Sequence, residues 1–193
     1  MSVDDRPLIV AITGASGIVY GVRLLEILQE QSVPVHLIIS EAAVLNLRLE
    51  TNYRLSRIKA MATDVYDVND LTAAVASGSF LTRGMIIAPC TVKTLSAIAN
   101  SFDHNLIVRA ADVCLKERRP LVLMVRETPL HAGHLEMMTK VASLGGILLP
   151  PVPAFYNHPQ DIADIVDHSV GKALDLLGID HHLYRRWTGT PPT

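Results

Sequence analysis

Short apolar runs alternate along the chain with longer segments whose apolar residues recur every three or four positions. Five of the short runs are rich in Val, Ile and Leu, as strands buried on both faces are. They are Leu8 to Thr13, Val33 to Ser40, Gly84 to Pro89, Leu121 to Arg126 and Gly146 to Val152. The helical pattern is clearest over Ile18 to Gln31, Glu41 to Leu49, Leu71 to Ala76, Thr91 to Ala99, Leu130 to Ser143 and Gln160 to Leu177. Strand and helix in alternation predict βαβ units, hence an α/β fold: a doubly wound, Rossmann-like (flavodoxin-like) parallel sheet with helices on both faces.

Composition narrows this picture. A length of 193 residues suits one domain, with a core over about 8–178 and a C-terminal tail over 179–193, frayed from Thr188. No apolar run reaches the roughly 18 to 20 residues a membrane span requires. Met1 to Pro7 carries Asp4 and Asp5 and does not read as a signal peptide, so a cytoplasmic protein is expected. Cys90 and Cys114 stand apart, with neither disulfide nor zinc spacing, and are expected to be reduced. A net charge of −2 without a basic stripe argues against nucleic acid, which leaves small ligands.

Open parallel sheets bind ligands beyond the carboxyl ends of their strands, so the strand-ending residues carry the functional information. The first such end, Thr13-Gly14-Ala15-Ser16-Gly17, is a glycine turn leading into a helix. Backbone N–H groups there can cradle a phosphate. The glycines fall at 14, 17 and 21, which is not the dinucleotide spacing G-x-G-x-x-G. Taken alone, the turn reads either as an anion cradle or as tight strand-to-helix packing with Ser16 as a helix cap. Thr91 and Thr94 likewise read as caps, and Lys93 as a solvated charge. The pairs His131/His134 and His181/His182 lack a third ligand of convincing spacing, so no metal site is expected.

The run Ile12-Thr13-Gly14-Ala15-Ser16-Gly17-Ile18-Val19-Tyr20-Gly21 strongly resembles the UbiX/Pad1 family of flavin prenyltransferases. The resemblance recurs at Leu49-Glu50-Thr51, at Pro89-Cys90-Thr91-Val92-Lys93-Thr94, across Arg109 to Leu123, at Val125-Arg126-Glu127-Thr128-Pro129 and at Pro150 to Tyr156. In order and spacing it covers about Leu8 to Leu177.

The resemblance implies transfer of a dimethylallyl group from dimethylallyl phosphate to N5 and then C6 of reduced FMN, without a metal. The product would serve a UbiD-type decarboxylase, as in ubiquinone biosynthesis. It places FMN against Gly14, Ala15, Ser16, Ser40, Thr91, Val92, Lys93, Thr94 and Arg126. The donor falls to Lys116, Arg126, Tyr156, Lys172 and Trp187, and proton handling to Ser16, Glu50 and Glu127. Lys172 stands where the family often has Arg, which keeps the charge and loses the planar fork. The family assembles as a dodecamer, and Glu50 could act from a neighbouring subunit. Two other readings stay open: a flavin-dependent decarboxylase of the related cysteine decarboxylases, whose Pro-x-x-x-Asn-x-x-Met-Trp segment this chain lacks, and a non-catalytic flavin carrier.

Overall fold

All five residues of the first strand, β1 (Leu8–Ile12), are buried, and so are all five of β5 (Leu121–Val125). Such strands contribute alternate side chains to both faces of a sheet. Leu8, Val10 and Ile12 join a core that includes Ile86 and Val122, while Ile9 and Ala11 join a second that includes Met85 and Leu123. The computed structural model describes residues 5–189. Residues 1–4 and the last part of the expected tail, 190–193, lie outside the described residues.

The remaining strands are β2 (Val35–Ile39), β3 (Asp64–Tyr66), β4 (Gly84–Cys90) and β6 (Ile147–Leu148). The sheet is parallel throughout, in the order β3-β2-β1-β4-β5-β6. Without the three-residue edge strand β3 the order becomes 2-1-3-4-5, the flavodoxin arrangement, and with it the Rossmann one. The order reverses between β1 and β4, which puts the switch point at the Thr13–Gly17 turn.

Helices α1 (Ile18–Glu30), α2 (Glu41–Glu50), α3 (Leu55–Lys59) and α7 (Ile162–Asp175) pack into the first core. Helices α4 (Val92–Ala99), α5 (Leu106–Lys116) and α6 (Ala132–Ser143) pack into the second. Arg23 of α1 grips Asp167 of α7 through Nε at 2.7 Å and Nη2 at 3.1 Å, fastening those two helices side by side.

The structure departs from the sequence pattern in five places, of which one is helix α3, whose five residues are too few to show a helical period. Helix α5 is absent from the predicted elements although it carries a helical period, Arg109, Asp112 and Lys116 recurring at three and four residues opposite the buried Leu106, Ile107, Val108, Ala110, Ala111, Val113 and Cys114. Strand β3 is short and mostly exposed. Leu71 to Ala76 forms only a 3-10 turn over Ala74–Ala76. Asp70 accepts from the Thr72 N–H and hydroxyl ahead of that turn, and the Ala76 carbonyl is taken by Arg109 Nε at 3.0 Å. Finally, β6 stops at Leu148 because Pro150, Pro151 and Pro153 have no N–H to give a ladder.

Candidate active site

The carboxyl ends of β1, β2 and β4 and the N-termini of α2, α4 and α5 enclose a cleft of about 340 Å³. Gly14, Ser40, Thr91, Lys93 and Thr94 line it together with Thr13 and Asn105. Five of the residues assigned to the flavin by resemblance thus meet at one opening, and Ala15, Ser16 and Val92 adjoin them in the same two turns.

Thr13 holds the opening together. Its buried hydroxyl donates to the Pro89 carbonyl at 2.7 Å and accepts from the Thr91 N–H at 2.9 Å, tying the end of β1 to the turn after β4. Thr91 then caps α4, its hydroxyl accepting from the Thr94 N–H at 3.1 Å and lying 3.0 Å from the Thr94 hydroxyl. Ser40 caps α2 by accepting from the Ala43 N–H at 3.2 Å. These hydroxyls fix two helix N-termini at the cleft, where backbone N–H groups and the positive dipole ends favour an anion.

At Gly14 a Cβ would lie 2.3 Å from the Cβ of Ala42, so only glycine lets the turn approach α2 this closely. Asn46 of α2 donates to the Gly14 carbonyl at 2.9 Å and locks that approach. Gly17 has φ of 101°, a left-handed conformation that glycine adopts without strain.

Helix α1 begins without a side chain from its own N-cap, so Ser16 is not the cap. Glu50, at the end of α2, takes that part: its Oε2 accepts from the N–H of Gly17 at 2.8 Å and of Ile18 at 3.0 Å. A carboxylate there complements the helix dipole. It also occupies the N–H groups that a ligand phosphate would otherwise use, which leaves α2 and α4 as the anion-binding helices of the cleft. Ser16 stands exposed at the tip of the turn.

Arg126 and Glu127 follow β5 and are exposed. The Arg126 N–H donates to the Cys90 carbonyl at 3.1 Å, holding the start of this turn against β4. Its guanidinium lies near Tyr20: burial pushes the Tyr20 phenol up and the Arg126 charge opposes it. Glu127 Oε1 accepts from the Thr128 N–H at 2.9 Å.

Tyr156, Lys172 and Trp187 form a second group, on α7 and the segments before and after it. The Tyr156 hydroxyl lies 3.1 Å from His168 Nε2, and the Trp187 ring meets Tyr156 edge-on at 6.1 Å between centroids. Lys172 sits one turn beyond His168, with Nζ 3.8 Å from Asp175 Oδ2. Burial lowers the His168 pKa, Lys172 lowers it further and Asp175 opposes both.

Lys116 belongs to neither group. It ends α5, pairs with Glu117, and is followed after four residues by the first residue of β5. That places it beyond the N-terminal ends of the strands, separated from the cleft by the length of β5, about 16 Å at 3.3 Å per residue. Cys90 and Cys114 are free and buried, and burial raises both thiols, Cys114 to about 12. His131 and His134 stack at 3.5 Å, and among the described residues no group of three His, Cys, Asp or Glu could hold a metal ion. Nor is any described helix long and apolar enough to cross a membrane.

Val68, Asn69, His104 and Asn105 also line the cleft and were not among the sequence-based candidates. Asn105 had a local signal, an Asn opening the apolar run of α5, whose Oδ1 accepts from the Val108 N–H at 3.0 Å, whereas Asn46, which fastens the Gly14 turn from 32 residues away, had none.

The sequence model of the Flavoprotein family matches residues 2–174. Flavin prenyltransferase UbiX of Thauera aromatica is 54% identical over 182 residues, covering 94% of each chain. Among solved structures, AnUbiX (PadA1) in complex with FMN and dimethylallyl pyrophosphate superposes with a TM-score of 0.94 at 46% identity, over 96% of this chain and 98% of the other. A dodecameric FMN-dependent UbiX-like decarboxylase from Escherichia coli O157:H7 gives 0.92 at 46% identity, over 95% and 100%. A cleft at the switch point, closed by a glycine turn and two capped helices, therefore stands in a chain similar along nearly its whole length to these proteins, and this chain belongs to the UbiX family of flavin prenyltransferases.

Proposed function

We propose that this protein prenylates reduced FMN, using dimethylallyl phosphate as donor. The observation that carries the reading is the cleft lined by Gly14, Ser40, Thr91, Lys93 and Thr94, in a chain that resembles a solved relative complexed with FMN and dimethylallyl pyrophosphate. The residues present suit FMN: the absent Cβ at Gly14, the capped N-termini of α2 and α4, and the Lys93 charge together make a narrow anion-binding slot.

Reduced FMN supplies the nucleophilic N5 and C6 atoms to which the five-carbon group is joined. Gly14, Ala15, Ser40, Thr91, Val92, Lys93, Thr94 and Arg126 hold it, and Ser16, exposed at the turn, directs a hydroxyl to its reactive edge. Tyr156, Lys172 and Arg126 grip the donor phosphate, whose C–O bond breaks as the new bond to the prenyl C1 forms. Glu127 delivers a proton to the leaving phosphate. On ring closure C6 bonds to the prenyl alkene, one alkene carbon gains a proton and C6 gives one up; Glu50 assists that exchange while its Oε2 holds the α1 N-terminus. Trp187 shields the prenyl group from water.

Lys116 completes the donor site from a neighbouring copy, because its own cleft lies at the far end of β5. A dodecamer, like that of the E. coli relative, is the assembly proposed to bring it there. The product is handed to a UbiD-type decarboxylase, and the chain works as a single flavoprotein domain.

The E. coli relative is called a decarboxylase, which motivates a second reading in which bound flavin oxidises or decarboxylates a substrate directly. One experiment separates the two. The protein is incubated anaerobically with reduced FMN and dimethylallyl phosphate, and the flavin is weighed by mass spectrometry. A gain of one C5H8 unit with release of phosphate supports prenyl transfer, whereas an unchanged flavin defeats it.

A further inference from the structure

Asp175, the last residue of α7, gathers four groups around one carboxylate. Oδ1 accepts from Arg186 Nη2 at 2.7 Å and lies 3.1 Å from His181 Nε2. Oδ2 accepts from the Tyr184 hydroxyl and lies 3.8 Å from Lys172 Nζ. Three of the four partners belong to the segment after α7, so this one side chain fastens that segment to the helix. Partial burial pushes the Asp175 pKa up, and the hydrogen bonds from Arg186 and Tyr184 outweigh it, bringing the group down to about 2. It is therefore an anion throughout the working range of pH.

The helix is shaped to receive the segment. A Cβ at Gly171 would lie 2.6 Å from His181 Cε1 and 2.6 Å from Tyr184 Cε1, so the two rings rest on a glycine in mid-helix. Glycine is among the poorest residues for a helix interior, and a site that departs from local preference in this way points to a requirement of another kind. A carboxylate at the C-terminal end of a helix, facing the negative end of the dipole, is a second such departure. From this seat the contacts run on to the donor end. The Tyr184 ring lies 4.7 Å from His168, His168 meets the Tyr156 hydroxyl, and Trp187 stands edge-on to Tyr156.

We propose that Asp175 is the positioning residue of the donor site: it clasps residues 181–187 onto α7 and so sets Trp187 and Lys172 beside Tyr156. The proposal rests on the reading of Tyr156, Lys172 and Trp187 as the donor-binding group. It adds a residue that touches neither flavin nor donor and whose removal changes the donor end alone.

The full chain contains one tryptophan, so its emission reports Trp187 directly. Asp175→Asn is expected to shift that emission to the red and to raise acrylamide quenching about twofold as the segment loosens. Its KM for dimethylallyl phosphate rises about tenfold while FMN affinity stays within about twofold, a split that general destabilisation would not produce. Tyr184→Phe with Arg186→Gln leaves Asp175 in place, removes two of its donors and gives a smaller change in the same direction; it decides the matter if Asp175→Asn fails to fold. Unchanged Trp187 emission in the variants, or a loosened segment with an unchanged donor KM, overturns the proposal. Wild-type protein that leaves the flavin unalkylated overturns the underlying reading and the proposal with it, whereas full wild-type alkylation beside a normal Asp175→Asn variant overturns the proposal alone.

Discussion

In the cleft proposed for the flavin, the Thr13 hydroxyl bridges the Pro89 carbonyl and the Thr91 N–H, Gly14 leans on Ala42, and Ser40 and Thr91 cap their helices. At the end proposed for the donor, Tyr156 meets His168, Trp187 meets Tyr156, and the segment carrying Trp187 hangs on Asp175. The first region is held by short side-chain hydroxyls bonded to backbone groups at the ends of buried strands. The second is held by side chains bonded to one another at the surface, where Trp187 is 60% exposed and Tyr156 47%. Contacts to backbone at a switch point follow from topology and tolerate little change, whereas contacts between exposed side chains can be loosened one at a time. The contrast fits the chemistry proposed for each, with the flavin in a narrow slot and the small donor at a more exposed end.

The largest effect on stability expected from this contrast is at Gly14. Gly14→Ala drives a methyl group into Ala42, and overpacking of this kind costs about 1–3 kcal/mol of stability, a fall in Tm of about 2–12 °C. Calorimetry checks it; a Tm within about 1 °C of wild type would mean that the cleft is as yielding as the donor end. At the other region, Lys172→Ala removes one charged partner proposed for the donor phosphate, worth about 1.5–3 kcal/mol, so on that reading the donor KM rises about 10- to 100-fold with FMN binding unchanged. Lys172→Arg restores the charge and adds bidentate geometry, and steady-state kinetics with dimethylallyl phosphate should place it at or below the wild-type KM.

A more modest effect is expected at Glu50, whose carboxylate caps α1 beside the cleft. Glu50→Ala leaves the Gly17 and Ile18 N–H groups without their acceptor, a cap loss of about 1–2 kcal/mol that lowers Tm by about 2–8 °C in calorimetry. Glu50→Gln, which keeps an acceptor oxygen, loses less stability and separates the cap from any proton-handling role. The smallest effect concerns pH. The folded pKa of His168 lies below its ordinary 6.5, chiefly through burial, so the folded state binds fewer protons than the unfolded one. Its contribution to stability is complete above about pH 6.5 and is lost as pH falls from there through the folded value. Between pH 7.5 and 5.5 the Trp187 emission should therefore shift slightly to the red, and His168→Gln should flatten the response.

The cleft was legible in the chain because its residues cluster in sequence. Thr13 to Ser16 and Thr91 to Thr94 are two short segments at the ends of apolar runs, and parallel-sheet topology obliges such ends to meet at one edge. Helix α5 was legible in principle, since Arg109, Asp112 and Lys116 recur at three and four residues against an otherwise apolar run, whereas strand β3 is too short to show a period. At the donor end, resemblance named Tyr156, Lys172 and Trp187, yet nothing local tied them together. Their link is Asp175, which meets His181, Tyr184 and Arg186 across intervals of 6 to 11 residues.

From the order of residues alone came the doubly wound architecture, the edge of the sheet on which a ligand sits, and the residue types available there, because burial and backbone hydrogen bonding act through local patterns that repeat. Only the tertiary structure decided that Glu50, not Ser16, caps α1, that Lys116 lies at the far end of the sheet from its own cleft, and that one carboxylate gathers the segment after α7. Those outcomes depend on hydrogen bonds and charges brought together by chain folding, and such contacts carry no period that a sequence can display.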